Sequence, residues 1–163
     1  LPEAQLDRFL MHVKVDYPNS SAEREILKLA RREASAGESV DQPEVSEATV
    51  FAAREEVLKL HMSGAVEEYI VQLIMATRQP EAYDAELASW IEYGASPRAT
   101  IGLDRCARAH AWLLGKDFVS PDDVKAMAHD VLRHRLVVSY DGEIAGVTAD
   151  SVIDKLLDLV PVA

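Results

Sequence analysis

The chain has 163 residues, 48% hydrophobic and 28% charged, with a formal net charge of −11. That length holds one full core or two small ones, and the composition is that of an ordinary globular protein. The acidity disfavours broad binding to nucleic acid or anionic membranes, no apolar run approaches the roughly 20 residues that span a bilayer, and a single Cys106 rules out an internal disulfide framework and fits a reducing, cytoplasmic compartment.

Residues Leu10 to Tyr17 alternate apolar and polar from Met11 onward, which predicts a strand that Pro18 ends. A lone strand is unstable, so its partners are expected upstream. The start at Leu1 without a methionine likewise suggests a piece of a longer protein. Ser21, Glu23 and Glu25 then open a helix with Ile26, Leu27 and Ala30 on its apolar face, closed by Gly37. An acidic linker follows to Pro43, and Ser46 opens a helix with Val50, Val57, Leu58 and Met62 on a shared face. After Gly64, residues Val66, Ile70, Leu73, Ile74 and Thr77 give the cleanest helical periodicity in the chain, and Pro80 stops it.

A shorter helical piece, Ala85 to Tyr93, leads into Gly94. The next helix runs from Pro97 to Leu114, with Leu103, Cys106, Ala107, His110 and Leu114 as its core stripe and Gly115 just past its end. Ser120-Pro121-Asp122-Asp123 starts a helix reaching about His134. Leu136 to Tyr140, Asp141-Gly142 and Glu143 to Val147 read as a short hairpin, and a last helix spans Thr148 to Leu159.

One helix start departs from helix electrostatics. In Gly94-Ala95-Ser96-Pro97-Arg98-Ala99, Ser96 reads as the N-cap and Pro97 as the first helical residue. Arg98 then sits in the first turn, where the macrodipole disfavours a cation by roughly 0.3–1 kcal/mol unless an anion joins it. A phosphate would be such an anion. The alternative is an arginine that bends back into solvent. The Pro121 helix has the ordinary acidic first turn, which sharpens the contrast. Arg98 also opens a basic stretch that continues through Arg105, Arg108, Lys116, Lys125, Arg133 and Arg135, within a chain whose first hundred residues are crowded with acids.

Other chemistries lack their residues. The only Gly-Lys pair, Gly115-Lys116, is followed by Asp117, so there is no phosphate-binding loop. His129 and His134 are five apart, no His-Glu-x-x-His occurs, and one cysteine makes no thiolate zinc site; no metal ligands are assigned. No Gly-x-Ser-x-Gly elbow is present. Arg8, before the expected strand, taken singly is a surface residue paired with an acid such as Asp7.

Five ordered motifs together resemble MoxR-type AAA+ proteins: Leu1-Pro-Glu-Ala-Gln-Leu-Asp-Arg-Phe9 with Tyr17-Pro18, Gly94 to Ala99, Asp117 to Val124, Val131 to Leu136, and Val160-Pro161-Val162. The resemblance implies a mainly α fold: a helical AAA+ lid of five to seven helices over residues 19–163, preceded by residues 1–18 as the end of the α/β core, with its arginine-finger segment and last strand. It implies Arg98 as the sensor-2 arginine reaching the γ-phosphate from the lid of the same subunit, with Ser96 and Pro97 at that nucleotide-binding helix start. It implies Arg8 as the arginine finger that completes a neighbouring subunit's site. The whole protein would then be an ATP hydrolase using ATP and Mg²⁺, assembled as a homo-oligomeric ring of six, with chaperone-like action on clients that include proteins with von Willebrand A domains. Lacking both Walker motifs, this segment alone is expected to be inactive and to bind no cofactor tightly.

The rival reading is a stand-alone acidic helical interaction module. It expects Arg98 to be neutralised internally by an acid such as Glu92, whereas the ATPase reading expects it exposed in a cleft.

Overall fold

A computed structural model describes residues 2–36 and 44–162. The chain divides into two compact units, residues 14–52 and residues 1–13 together with 53–163. The linker expected between Gly37 and Pro43 lies outside the described residues.

In the smaller unit, α2 (Ser20–Ala36) begins at Asn19, whose side chain accepts from the Ser21 and Ala22 amides. Its apolar residues Ile26, Leu27 and Leu29 are exposed. Helix α3 (Glu47–Lys59) buries no residue, so Val50, Val57 and Leu58 make no core face, whereas Met62, expected on the same stripe, lies beyond the helix and is buried.

The larger unit opens with the single turn α1 (Glu3–Leu6) and is built on α4 (Gly64–Arg78), α6 (Pro97–Leu113), α7 (Pro121–Leu132) and α9 (Ala149–Leu159). Helix α6 packs along α7, and α4 packs against α6 and α9. The periodicity of α4 buries Val66, Ile70, Leu73, Ile74 and Thr77 as expected. On α6, Leu103, Cys106 and Ala107 are buried, whereas Leu114 lies past the last turn and is exposed. Gly115 follows with φ +68°, which lets the Lys116 amide return to the Ala111 carbonyl at 3.0 Å.

Short α5 (Ala85–Trp90) and α8 (Tyr140–Ile144) complete the helices. Strand β1 (His61–Met62) pairs in parallel with β3 (Phe118–Val119). Strand β2 (Ile91–Tyr93) pairs antiparallel with β4 (Val137–Val138), setting Ile91 opposite Val138 and Tyr93 opposite Val137.

The mainly helical expectation holds, with three differences. Residues 7–19 form no strand: Val13, Val15 and Tyr17 are exposed, and the His12 amide finds the Asp130 carbonyl at 2.7 Å rather than a ladder. Residues 136–147 form no hairpin, because the partner of Val137–Val138 is β2 and Ser139 caps α8 by accepting from the Gly142 amide at 3.0 Å. Asp141-Gly142 therefore lies inside a helical turn. Among the described residues of 19–163 there are eight α-helices, α2 to α9, one more than the upper expectation.

Candidate functional site at the start of α6

The turn before α6 is fixed to the end of α4. Buried Thr77 donates its hydroxyl to the Ile74 carbonyl at 2.7 Å and accepts from the Ala95 amide at 3.0 Å. Arg78 Nε donates to the Ala95 carbonyl at 2.8 Å. At Gly94 a Cβ would lie 2.2 Å from the Thr77 carbonyl oxygen, so only glycine permits this approach. Ser96 is the N-cap of α6, its Oγ accepting from the Arg98 amide at 3.2 Å, and Pro97 takes the first turn.

The anion that this helix start lacks in sequence is supplied by Asp7. The Ser96 hydroxyl donates to both Asp7 carboxylate oxygens at 2.9 Å, and Arg98 Nη1 reaches Oδ2 at 3.1 Å. From the other side, Arg135 Nε reaches Oδ1 at 3.1 Å. Burial works to raise the Asp7 pKa, but the Ser96, Arg98 and Arg135 donors outweigh it and hold the carboxyl below its usual value. Asp7 stays ionised and binds two arginines.

Arg98 keeps 56% of its side-chain surface exposed. It is ion-paired, as the interaction-module reading expects, but with Asp7 rather than Glu92. It is also open to solvent, as the ATPase reading expects. Ser96, Pro97 and Arg98 thus lie together at one helix start. Arg8 stands beside Asp7 in sequence, exposed, and no described acid pairs with it. The Asp7 carboxylate occupies the anion position at this helix end, so a phosphate oxygen reaching Arg98 would have to take its place. A metal ion does not fit Asp7, whose carboxylate two cations already engage.

Sequence reading missed Asp7 as a hub and missed Arg135. The Arg135 side chain is only 3% exposed and donates to the carbonyls of Val131, Asp7, Phe9 and Leu10 as well as to the Asp7 carboxylate. At the end of a helix, in a basic stretch, it reads as a solvated charge. Its partner lies 128 positions away, beyond any local pattern.

A family profile described as an AAA lid domain matches residues 85–156. The chain is 37% identical over 161 residues to Chaperone MoxR1 of Mycobacterium tuberculosis, covering 98% of this chain and 42% of that protein. The chain is similar along nearly its whole length to part of a MoxR-type AAA+ protein. It is also 32% identical to Protein MoxR of Paracoccus denitrificans, over 85% of this chain and 44% of that protein. A crystal structure of a candidate ATPase from Cytophaga hutchinsonii superposes with a TM-score of 0.91 at 38% identity, covering all of this chain and 49% of that one. The chain spans about half the length of the curated MoxR relatives it matches. The helical bundle around α6, α7 and α9 is the AAA lid, and the Ser96–Arg98 turn lies within its matched residues.

Proposed function

We propose that the chain is the lid, residues 19–163, and the adjoining end of the ATPase core, residues 1–18, of a MoxR-type AAA+ ATPase. The whole protein couples ATP binding and hydrolysis to chaperone-like maturation or activation of partner proteins, as a cytoplasmic homo-oligomeric ring. ATP and Mg²⁺ serve the whole protein; this segment has no phosphate-binding loop, binds neither tightly and is inactive alone. Arg98 senses the terminal phosphate from the start of α6, with Ser96 and Pro97 fixing the turn. Arg8 acts on a neighbouring subunit's nucleotide, stabilising charge in phosphoryl transfer.

The observation that carries this proposal is the exposure of the Arg98 guanidinium in the first turn of α6, within the residues that match the AAA lid profile. In the full-length gene product, Arg98→Ala should lower ATP turnover on the order of 10²-fold. Folding should change by less than about 1 kcal/mol, because the Arg98–Asp7 pair is solvent-exposed on the arginine side. Turnover and thermal melting check both. A wild type without turnover favours the interaction module, in which the same pair is purely structural; an active wild type with an undiminished variant takes Arg98 out of the nucleotide site.

A further inference from the structure

We propose that Arg135 is a positioning residue for Arg8, with Asp7 as the joint between the lid and the segment that presents Arg8. The inference rests on Arg8 acting on a neighbouring subunit's nucleotide.

The grip of Arg135 falls on both sides of Arg8. Nε binds the Asp7 carboxylate at 3.1 Å and Nη2 binds the Asp7 carbonyl at 3.1 Å. Nη2 also binds the Phe9 carbonyl, and Nη1 binds the Leu10 carbonyl at 3.2 Å and that of Val131 on α7. One planar guanidinium therefore fixes residues 7, 9 and 10 and leaves the residue between them projecting. The Arg8 amide is held by the Gln5 carbonyl at 3.2 Å, while its side chain is exposed. Fixed backbone with a free side chain is how a group is presented to a partner.

Neighbouring residues extend the same clamp. His134 Nε2 meets the Phe9 carbonyl at 3.1 Å, Arg133 Nη1 meets the His12 carbonyl, and the His12 amide returns to the Asp130 carbonyl at 2.7 Å. Burying a guanidinium is a costly way to stabilise a fold, since an apolar side chain of similar volume often does as well or better. What an arginine adds is a rigid fork of donors that sets the position of several carbonyls at once. The opposite face of Asp7 meets Ser96 and Arg98, so the phosphate-sensing turn and the Arg8 segment share one carboxylate.

The test is ATP turnover by the full-length gene product carrying Arg135→Lys. The lysine keeps the charge opposite Asp7 but cannot span the carbonyls. Turnover should fall on the order of 10²-fold through misplacement of Arg8, with the KM for ATP nearly unchanged. Mixing with subunits disabled in their own nucleotide site should restore part of the turnover, because those subunits still present an intact Arg8. In an Arg8→Ala background the added Arg135→Lys should cost little more. Hydrogen exchange at the His12 amide should quicken in the variant. If Arg135→Lys does not fold, Asp7→Asn keeps the carbonyl grip and should show a smaller loss with the same rescue. An active wild type with Arg135→Lys undiminished, or a loss that mixing does not rescue and that adds fully to Arg8→Ala, overturns this inference alone. A wild type without turnover overturns the ATPase proposal, and this inference falls with it.

Discussion

Asp123 carries a carboxylate with no solvent exposure, and four donors converge on it. The Ser120 amide reaches it at 2.8 Å, the Ser120 hydroxyl at 2.6 Å, Lys116 Nζ at 2.7 Å and His110 Nδ1 at 2.8 Å. These bonds tie the turn after α6 to the start of α7. Burial alone would raise the Asp123 pKa, but the Lys116, Ser120 and His110 bonds outweigh it and hold the carboxyl far below the usual range. The folded pKa lies below an unfolded value of about 3.9. The stabilisation is therefore fully present above that value and is lost as pH falls below it toward the folded pKa. Asp123→Asn should cost about 2–3 kcal/mol at neutral pH, at the lower side of a buried-pair loss because Lys116 retains partial access to water. The deficit should shrink below about pH 4, where the carboxyl of the unfolded wild-type chain takes up a proton while the folded carboxylate stays ionised. Urea unfolding at pH 7 and pH 3 measures both; an equal deficit at the two values would mean that shape and not charge is at stake. Ser120-Pro121-Asp122-Asp123 was legible as a cap, and the box between Ser120 and Asp123 is present. The bonds from His110 and Lys116, 13 and 7 positions away, were not.

Among the elements, those whose own residues decide the conformation were readable. The α4 stripe, the Ser96-Pro97 start of α6, the Gly115 stop and the Ser120-Pro121 start of α7 each follow from local sterics and hydrogen bonding. Elements decided by a distant partner were not. Alternation from Met11 to Tyr17 is a strand signal, but no described strand lies beside it, and His12 near its start bonds the Asp130 carbonyl of α7 instead. Val137–Val138 looks like half of a hairpin until Ile91–Tyr93 takes the pairing. The Gly94 turn combines both cases, because glycine is a readable loop signal whereas its reason, the Thr77 carbonyl, lies 17 residues back. Gly94→Ala forces a Cβ to 2.2 Å from that backbone oxygen, so the turn or the end of α4 must shift. We expect a loss of about 1–3 kcal/mol, typical of overpacking, together with reduced ATP turnover because Ser96 and Arg98 move with the turn. Thermal melting and turnover of the full-length product test this. A variant that melts like wild type would show that the turn tolerates displacement, and then turnover alone reports how closely Arg98 must be placed.

At the scale of the whole molecule, the two arginines singled out in the sequence lie near one carboxylate, yet they differ in what they hold. Arg98 is bound to Asp7, while Arg8 is exposed and no described acid pairs with it. Exposed residues of that kind contribute within about 0.5 kcal/mol to folding, so Arg8→Ala should leave the melting temperature nearly unchanged. A role in a neighbouring subunit's site predicts a large loss of a different kind: turnover should fall 10³-fold or more, the scale on which an arginine supplied in trans acts in phosphoryl transfer. The two effects separate cleanly because one is read by melting and the other by ATP hydrolysis. Location in trans is then decided by mixing. An Arg8→Ala subunit retains its own nucleotide site, and a subunit disabled in that site retains its Arg8. Neither turns over alone, but a ring containing both has some junctions at which an intact Arg8 faces an intact site. Recovered turnover in the mixture, rising with the proportion of such junctions, places Arg8 across the subunit boundary. Loss without recovery at any ratio would mean that Arg8 serves its own chain, and undiminished turnover in the variant would leave it a surface charge.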